Sequence, residues 1–500
     1  MSDVNAEPEV KGKRSKASRV VTPNSFETDQ HFYQKTINAQ VSSVVMNFMH
    51  LGNDRIVSRY LHLNPHVNKD VLVQMLNYKP KYFCWSGTDL FNVTNSMGIR
   101  KMVLIETNSC PSGQKSFPTL ADNDEQGGYR TLLANTFKPL IEEAAKNGTL
   151  PEGKLAVVYD KNPMEASGYA AALADIFKED VLAAEFYDGE ASPQVRFHPE
   201  TKVMQILHKE EWTNIRAAFR YVTQKPWNRL PVISTSTVIL NPIICCLTGG
   251  RNKLLAAKAY DFLNSEITDS GLRINVPKTI RDVEKKVVPI WVSTMGGFAV
   301  VKNPYSNAGQ GVWTITNQQE LDDFMQTPIE YDNYIVQSLI GNSRWSSSTT
   351  QGQMYHVGTV PDRRKDIYVA DLRMMIHYNF EVGGFSPLAL YARRALSPLQ
   401  DELGSENSWD VLGTNLSIKV GDNAWDTDIK RLIIADRKDF NKLGLGVDNL
   451  IDAYIESVLA TVAIDKMACR LTKEDGSFDL DLFASLNKDQ ALINEVNEFQ

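Results

Sequence analysis

The chain has 500 residues, which is too long for one ordinary domain and predicts about two to four domains or subdomains. Hydrophobic residues make up 43% and charged residues 23% of the chain, a composition typical of soluble globular proteins. The formal net charge of −7 gives no reason to expect nucleic-acid binding. The sequence shows neither a signal peptide nor an apolar run long enough to span a bilayer, so we expect a cytoplasmic protein with no membrane partner.

The first 26 residues are polar and lack a hydrophobic period, which predicts a disordered tail. The basic cluster "KGKRSKASR" (11–19) is typical of a solvated segment, and a basic targeting signal or a weak anion-binding patch is the alternative. The five cysteines lack zinc-ribbon spacing, and Cys245 and Cys246 lie in an apolar run where thiols act as small hydrophobic groups. We therefore assign no cysteine a catalytic role.

Residues 27–118 are predicted to form one piece that begins with helices and ends in a β-hairpin. Apolar residues recur every three or four positions as far as about Tyr78, which indicates helices. The runs "KYFCWSGTDLFNVT" (81–94) and "RKMVLIETNSC" (100–110) are strand-like and flank the turn-forming "NSMG". The hairpin therefore occupies the second half of this piece.

Three oxygen-bearing side chains lie on this predicted hairpin. Asp89 is on the first strand, and Glu106 and Asn108 are two residues apart on the second, so these two point to the same face. We therefore expect the three side chains to converge at one end of the hairpin. The alternative is a strand that ends in an ordinary polar turn, "PSGQKS" (111–116).

Residues 119–285 alternate between helical and strand-like patterns. Helices are predicted for 129–148, 169–177, 210–222 and 252–264. Strands are predicted for 154–160 and 232–240, with a short hairpin around 199–207. This alternation predicts a three-layer α/β domain built on a mostly parallel sheet.

Residues 286–500 have longer strand-like runs, which predict an antiparallel α+β region. The predicted strands are 288–295, 296–304, 311–317, 333–341, 366–379 and 388–396. A long amphipathic helix is predicted for 450–471. The "EVN" at 495–497 follows a helical pattern, so we interpret it as part of a surface helix.

A lysine and a glycine-containing loop follow one another in "FAVVKNPYSNAGQGVWTI" (298–315). Lys302 at the strand end would supply a point charge for an anion, and Gly309 and Gly311 would let backbone N–H groups approach a phosphate closely. The GxxxxGK[ST] arrangement of a P-loop is absent, because this lysine precedes the glycines. The alternative is a glycine-containing hairpin with a solvated lysine.

Further charged and polar residues occur in predicted helices and strands before and after this loop. Lys253 begins a predicted helix, and the strand "YIVQSLIG" (334–341) could offer backbone groups to an adenine edge. The segment "DLRMMI" places Asp371 and Arg373 on one face of a strand. The segments "YARRA" and "GTNLSIKVG" add Arg393, Arg394 and Asn415. We interpret His356 and His377 as strand histidines that satisfy local hydrogen bonds rather than as bases.

Taken in order, these motifs resemble the ATP-grasp superfamily, in which two α+β subdomains hold ATP between them. The E-x-N pair usually comes last in that superfamily, whereas here "SGTDLFNVTNSMGIRKMVLIETNSCPSGQ" (86–114) comes early and is similar to the opening of the circularly permuted ATP-grasp proteins. The resemblance covers roughly residues 50 to 470. It implies an α/β (α+β) fold, a circularly permuted ATP-grasp fold with an inserted three-layer α/β pre-ATP-grasp domain. The expected pieces are 1–26 (tail), 27–118 (metal ligands), 119–285 (α/β substrate domain) and 286–500 (nucleotide-binding subdomains).

The resemblance also implies a role for each matching residue. The expected ligands of one or two Mg²⁺ ions are Asp89, Glu106 and Asn108. The expected ATP-binding residues are Lys253 and Lys302 at the α- and β-phosphates, Ser306, Asn307, Ala308, Gly309, Gln310 and Gly311 in a flap over the γ-phosphate, and Val336, Gln337 and Ser338 at the adenine. The expected catalytic residues are Arg373 and Arg394, and the expected substrate-binding residues are Ser112, Gly113 and Ser116. The hinge strand often carries a glutamate, and this chain has Gln337 and Ser338 instead, so no residue is assigned to the ribose.

The implied function is an ATP- and magnesium-dependent ligase that activates a carboxylate as an acyl phosphate and joins it to an amine. Its partners would be a small-molecule acid and a small-molecule amine, such as an amino acid or a peptide. Two alternatives stay open at this point. One is an ATP-grasp kinase or an enzyme that acylates a thiol or a carrier, and the other is a nucleotide-binding regulatory protein without turnover. The oligomeric state also stays open, a homo-oligomer included.

Overall fold

The fold is that of a computed structural model, which describes residues 16–121, 123–233, 236–306, 309–350, 352–403, 407–421 and 424–498. In two short stretches, 418–421 and 424–426, only the backbone is described. Within the described residues the strands form three large sheets and one two-stranded ribbon. None of the helices in this part of the chain combines the length and the apolarity needed to cross a membrane.

The helices and strands follow one another along the whole chain. The helices are α1 Thr28–His31, α2 Ser43–Met49, α3 Asn53–Leu63, α4 Lys69–Leu76, α5 Gly127–Leu132, α6 Lys138–Lys146, α7 Pro163–Phe177, α8 Lys253–Glu266, α9 Val288–Thr294, α10 Gln318–Gln326, α11 Ser408–Leu412, α12 Val447–Arg470, α13 Leu480–Leu486 and α14 Gln490–Asn497. The strands are β1 Arg19–Val21, β2 Trp85–Asn95, β3 Arg100–Asn108, β4 Lys154–Tyr159, β5 Val181–Glu185, β6 Val195–Phe197, β7 Met204–His208, β8 Glu211–Tyr221, β9 Val238–Leu240, β10 Thr279–Glu284, β11 Ala299–Lys302, β12 Val312–Ile315, β13 Asn333–Ser338, β14 Met354–His356, β15 Ala370–Asn379, β16 Gly384–Arg394, β17 Ser417–Gly421, β18 Ala424–Thr427 and β19 Leu432–Ile433.

The first sheet, which we call the mixed sheet, has the strand order β1-β5-β4-β8-β7-β6, with β9 beside β8. Strands β5, β4, β8 and β9 are parallel, and the remaining pairs are antiparallel. The predicted α/β class is therefore confirmed, but the prediction of a mostly parallel sheet is wrong. The antiparallel share comes from β6, β7 and β1.

Two sequence predictions fail on this sheet. The helix predicted for 210–222 is wrong, because these residues form β8. Their Glu, Ala and Arg content favours a helix, but β8 pairs with β4 on one side and with β7 and β9 on the other, and these tertiary pairings override local propensity. The prediction of a disordered tail over residues 1–26 is also wrong in part, because β1 pairs with β5 and Phe26 is buried. Residues 1–15 of the predicted tail lie outside the described residues.

The second sheet, which we call the lysine sheet, is antiparallel with the order β10-β13-β11-β12. Helices α9 and α10 contribute Val288, Val292 and Phe324 to its apolar core. The prediction of a strand over 288–295 is wrong, because its β-branched residues form α9 instead. Pro289 occupies the first turn of that helix, and the buried positions 288 and 292 follow the helical spacing of four residues.

The third sheet, which we call the hairpin sheet, has the order β14-β2-β15-β16-β19, with β3 on the other edge of β2. All of its pairs are antiparallel, and the β2–β3 hairpin predicted from the sequence is confirmed. The hairpin belongs to the N-terminal part of the chain, whereas the other strands lie between residues 354 and 433. A circularly permuted chain would need such a sheet, and the permutation itself stays a prediction.

The C-terminal helices join the sheets to one another. The predicted long helix is confirmed as α12, which contacts β2, β3, β15 and α8. The "EVN" helix is also confirmed as α14, but it is more than a surface element. Glu495 accepts hydrogen bonds from Lys225 Nζ (2.8 Å), Trp227 Nε1 (2.9 Å) and the Tyr331 hydroxyl (3.0 Å). These donors come from the mixed-sheet domain and from the segment that enters β13.

One buried carboxylate fixes the start of the hairpin sheet against α12. Asp465 Oδ1 accepts the N–H groups of Tyr82 (2.7 Å) and Phe83 (2.8 Å). Its Oδ2 accepts the N–H of Lys81 (3.0 Å) and the hydroxyl of Tyr78 (2.8 Å). Four donors therefore converge on one side chain, which holds residues 78–83 in place before β2 begins.

We expect Asp465→Asn to lower the free energy of unfolding by about 3 kcal/mol, because an amide cannot accept at both ends as the carboxylate does. Urea denaturation followed by circular dichroism measures this change. The matched control is Asp481→Asn, since Asp481 is exposed on α13, and this variant should change the free energy by less than about 0.5 kcal/mol. Equal losses in the two variants would contradict the role assigned to Asp465.

Candidate active site

A cavity of about 1000 Å³, counting its space open to solvent, lies between the lysine sheet and the hairpin sheet. We call it the cleft. Its walls come from β2, β3, β15 and β16 on one side and from β11, β12 and β13 on the other, with the first turn of α8 and residues 409–415 completing it. Apolar side chains such as Phe91, Leu339 and Ile340 form part of the lining, and three carboxylates and four basic side chains form another part. The cleft therefore offers both an apolar surface and a dense set of charges.

Two of the predicted metal ligands have oxygen atoms facing the cleft. Glu106 and Asn108 both line it, as expected for residues two apart on a strand. Glu106 Oε1 lies 3.3 Å from Lys253 Nζ. Asn108 donates its Nδ2 to the Gly87 carbonyl over 3.3 Å, which leaves its Oδ1 as an acceptor.

The third predicted ligand, Asp89, is occupied by arginines. It is paired with Glu106 across the hairpin, and Arg373 donates to both of its oxygens, at 2.6 and 2.7 Å. Arg393 Nη2 lies 3.0 Å from Asp89 Oδ2 and also forms an ion pair with Asp371. Burial raises the pKa of Asp89, but the two guanidinium groups outweigh it and lower that pKa to about 2. We call Asp89, Arg373, Arg393 and Asp371 the charge network.

Only one of the two predicted catalytic arginines lines the cleft. Arg373 does, whereas Arg394 stacks its guanidinium 4.2 Å from the centre of the Tyr368 ring and donates to the Ala395 carbonyl. Its neighbour Arg393 points to the cleft instead, because successive side chains on a strand face opposite sides of the sheet. The structure thus places Arg393, and not Arg394, where the sequence prediction needed an arginine.

The two predicted phosphate-binding lysines both reach the cleft. Lys302 is buried and donates to Gln337 Oε1 over 2.7 Å, and Lys253 Nζ donates to the Ser306 carbonyl over 2.7 Å. Burial lowers the pKa of Lys302 to about 8, although the carboxylate of Glu106 acts in the opposite direction. Burial also lowers the pKa of Lys253, again against the effect of Glu106. Both lysines are therefore cations that an incoming anion would stabilise.

The predicted flap forms a tight loop beside these lysines. Gly309 lines the cleft with a φ of +76°, and an added Cβ there would lie 2.9 Å from the Trp409 ring. Gly311 has a φ of +65°, and its carbonyl accepts the Asn303 N–H over 2.7 Å. The Ser306 hydroxyl donates to the Gln310 carbonyl over 2.5 Å, closing the loop.

Two flap residues of the sequence prediction, Asn307 and Ala308, lie outside the described residues. The described part of the loop, Ser306 and Gly309 to Gly311, begins four residues after Lys302, the last residue of β11.

Two of the three predicted adenine-hinge residues line the cleft, and the lining continues two residues beyond them. Val336 is buried in the core of the lysine sheet, whereas Gln337, Ser338, Leu339 and Ile340 line the cleft. The Val336 side chain faces the helices that cover the lysine sheet, where it packs with Val292 and Phe324 in the same apolar core.

The two strand histidines are buried and uncharged, as expected for residues that do not act as bases. His356 lines the cleft with its ring 4.5 Å from that of Phe91, and burial lowers its pKa to about 3. His377 lies 2.9 Å from the Thr136 hydroxyl, and burial lowers its pKa to about 4. Both imidazoles are therefore neutral near neutral pH.

The predicted substrate-binding turn is bound by an internal carboxylate. The Ser112 hydroxyl and the Gly113 N–H each donate to Glu165 over 2.8 Å, and the Gln114 N–H does the same. Glu165 is fully buried, and Ser112, Gly113 and Ser116 do not appear among the residues that line the cleft. Within the described structure these donors hold the turn against α7.

Three features of the site do not follow from the sequence prediction. Asp371 and Arg393 appeared in quoted strands, and their alternation was a usable signal, but choosing Arg393 over Arg394 required the register between β15 and β16. Gln337 was assigned to the adenine hinge, and its role as the partner of Lys302 had no local signal. Trp409 lines the cleft from the five-residue helix α11, which is too short to show a hydrophobic period, and Asn415 lines it from the segment that follows.

No protein-family model matches the chain, and no curated protein matches it in sequence. Solved structures similar to it include the apo form of a glutathione synthetase-like effector from Globodera pallida, at 12% identity and a TM-score of 0.36, covering 74% of this chain and 88% of that one. A RimK-domain ATP-grasp protein from Sphaerobacter thermophilus has 12% identity and a TM-score of 0.29, covering 47% and 90%. D-alanyl-alanine synthetase A from Vibrio cholerae has 9% identity and a TM-score of 0.30, covering 53% and 94%.

We expect Lys302 to titrate near pH 8, because burial disfavours its charged form. Carbon-13 NMR of ε-labelled lysines measures this midpoint, and Lys302→Arg removes and thereby assigns the resonance. Replacing the neutral partner by a carboxylate, in Gln337→Glu, should raise the midpoint, since the ammonium would gain an opposite charge. A Lys302 resonance that titrates near 10.5, the ordinary lysine value, would contradict the burial described above.

Proposed function

We propose that the protein is an ATP- and magnesium-dependent ligase that joins a carboxylate to an amine through an acyl phosphate. One observation carries the proposal. The buried Lys302, the half-buried Lys253 and a glycine loop face Glu106 and Asn108 across a single cleft that also has an apolar wall. This is the set of groups that a nucleoside triphosphate needs, since its base is flat and largely apolar and its phosphates are anionic.

The parts of the cleft suit the parts of ATP. Phe91, Leu339 and Ile340 offer an apolar surface to the base. Lys253 and Lys302 supply positive charge to the phosphates, and the glycine loop brings backbone N–H groups close to them. A phosphate chain would also offset the cost of burying both ammonium groups.

The residues present fit Mg²⁺ as part of a nucleotide complex. Magnesium is commonly held by one or two carboxylates together with phosphate oxygens and water, so Glu106 and Asn108 are a sufficient protein contribution. Among the described residues, no three acidic, His or Cys side chains are grouped as a self-sufficient metal site, which accords with an ion that arrives with ATP. Asp89 would have to give up an arginine contact to join them. When bound, magnesium would neutralise charge on the phosphates.

We infer that the charge network stabilises the phosphoryl group in transfer. Asp89 and Asp371 hold the Arg373 and Arg393 guanidinium groups in fixed positions at the cleft wall. Donors fixed before the reaction stabilise developing charge without reorganisation. The terminal phosphoryl group would pass from ATP to a substrate carboxylate, releasing ADP. An amine would then attack the acyl carbon and lose a proton, with phosphate as the leaving group.

No side chain of the protein has to act as a nucleophile in this scheme. Cys110 is the cysteine closest in sequence to the Glu106–Asn108 pair, and its thiol donates to the Arg220 carbonyl over 3.1 Å. Burial raises the pKa of Cys110 to about 12, so it is a neutral thiol at neutral pH. This supports the prediction that no cysteine is catalytic.

We expect Glu106→Gln to lower magnesium-dependent ADP formation on the order of 100-fold or more, because the substitution removes the one cleft carboxylate outside the charge network. A coupled ADP-release assay measures this loss, and the melting temperature should stay within a few degrees. Glu330→Gln is the matched control, since Glu330 is exposed and outside the cleft, and it should leave ADP formation unchanged. Near-normal turnover of Glu106→Gln would overturn the proposed metal role.

The reaction class is tested by which substrates ADP formation needs. A screen of acids and amines with ATP and magnesium, followed by mass spectrometry of the product, should show ADP release that depends on one acid and one amine together. ADP release with a single substrate and a phosphorylated product would indicate a kinase instead. Stabilisation by ATP without ADP release under any condition would indicate a regulatory nucleotide-binding protein.

A further inference from the structure

The carboxyl end of β4 in the mixed sheet is a topological switch point. From β4 the chain continues through α7 to β5 on one side, and β8 pairs in parallel on the other side. In open α/β sheets, a crevice forms at such a point and ligands bind in it. The residues that follow the strand ends here are Asp160 and Lys161 after β4 and Thr223 after β8.

Two basic residues near this edge, the half-buried Lys161 and the buried Arg251, lack ion-pair partners. In the described part of the chain, neither Lys161 nor Arg251 forms a salt bridge or a side-chain hydrogen bond with another residue. Arg251 is only 8% exposed, and its Nε is buried without a partner. The Nδ2 of the adjacent Asn252 is likewise buried without a partner. A buried donor left unpaired costs free energy, so these atoms are expected to meet a ligand.

The nearest acid in sequence is already occupied. Asp160 accepts the N–H groups of Thr223 and Gln224, both at 2.8 Å, and the Thr223 hydroxyl at 3.0 Å. It also lies 3.4 Å from Arg229 Nη2. Lys161 instead rests with its ammonium 5.7 Å from the centre of the Tyr221 ring.

These unpaired donors lie next to the cleft. The Ser109 N–H donates to the Gly250 carbonyl over 3.0 Å, so the segment before Arg251 packs directly on the residue that follows Asn108. An added Cβ at Gly250 would lie 2.3 Å from the Ser109 Cβ, so only glycine permits this approach. Cys110, the residue after Ser109, donates its thiol to the Arg220 carbonyl over 3.1 Å, and Lys161 lies over the ring of the next residue, Tyr221. Burial lowers the pKa of Lys161, and the positive charges of Arg251 and Arg373 act in the same direction.

We propose that Lys161, Arg251 and Asn252 bind a carboxylate that does not take part in the reaction. One of the two substrates of the ligase then carries a carboxylate beyond those the bond formation requires, as a dicarboxylic acid or an amino acid does. Arg251 supplies the planar donor set that matches a carboxylate, and Lys161 and Asn252 supply further charge and an amide donor. The inference rests on the proposed ligase function, but the binding itself does not need turnover.

Calorimetric titration in the presence of magnesium and a non-hydrolysable ATP analogue tests this site. The probes are glutarate, with butyrate as its counterpart lacking the second carboxylate, and L-alanine, with isopropylamine as its counterpart lacking the carboxylate. We expect glutarate to bind if the acid substrate carries the extra carboxylate, and L-alanine to bind if the amine substrate does. Each counterpart should bind at least tenfold more weakly than its probe.

Lys161→Met and Arg251→Met should each weaken the bound probe at least tenfold, with Arg251→Lys keeping part of the affinity. Both variants should keep wild-type affinity for magnesium-ATP. Their melting temperatures should be unchanged or higher, because an unpaired buried charge is removed. The matched controls are Lys154→Met at the opposite end of β4 and Arg273→Met, both at exposed positions, and neither should affect the probes.

Three results would overturn the site. They are no binding of glutarate or L-alanine to the wild-type protein, equal binding by wild type and both variants, and a loss of magnesium-ATP affinity that accompanies the loss of probe binding. The last result would assign the two residues to the nucleotide instead. Probe binding that depends on Lys161 and Arg251 in a protein without ligase activity would keep the site and remove the proposed function.

Discussion

The pairing of Asp89 with Arg373 is the interaction on which the cleft depends. Charges buried in a protein are tolerated only when they are paired with good geometry, and here a carboxylate on β2 meets a guanidinium directly opposite it on β15. Arg393 and Asp371 extend the pairing to β16. Because the ion pairs cross strand boundaries, they reinforce the register of three strands. That register in turn sets the position of β3 and the direction in which Glu106 points.

Charges on the two walls of the cleft are treated differently. On the hairpin sheet, the carboxylates of Asp89 and Asp371 neutralise the charges of the two arginines of the charge network. On the opposite side, the side-chain partner of Lys302 on the lysine sheet is a neutral amide, and Lys253 at the start of α8 donates to a carbonyl and lies 3.3 Å from Glu106. The arginine charges on one wall are paired with carboxylates, whereas the lysine charges on the other side are neutralised only in part. An anion is therefore attracted to the side of the lysines. The partial neutralisation also explains why burial lowers the pKa of both lysines.

The sequence predicted the parts of the site that depend on local pattern. Strand alternation placed Glu106 and Asn108 on one face, and glycine in a loop after a strand identified the flap. The sequence did not reveal that arginines occupy Asp89, because the two arginines lie more than 280 residues away and meet it only through the sheet. Strand β8 was mispredicted for the same reason, since tertiary pairing overrode local propensity, whereas helix α9 has local helix signals, a proline in its first turn and buried residues four apart. The internal bonding of Glu165 to the "PSG" turn likewise had no local signal.

The bonds of Glu495 have a mechanical consequence for the cleft. Tyr331 leads into β13 of the lysine sheet, while Lys225 and Trp227 belong to the loop that follows β8 of the mixed sheet. The last described helix, α14, therefore connects the lysine sheet with the mixed sheet. Any motion that opens the lysine sheet away from the mixed sheet has to break these hydrogen bonds or carry α14 along. Because the lysine sheet is also one wall of the cleft, α14 restrains the movement of that wall.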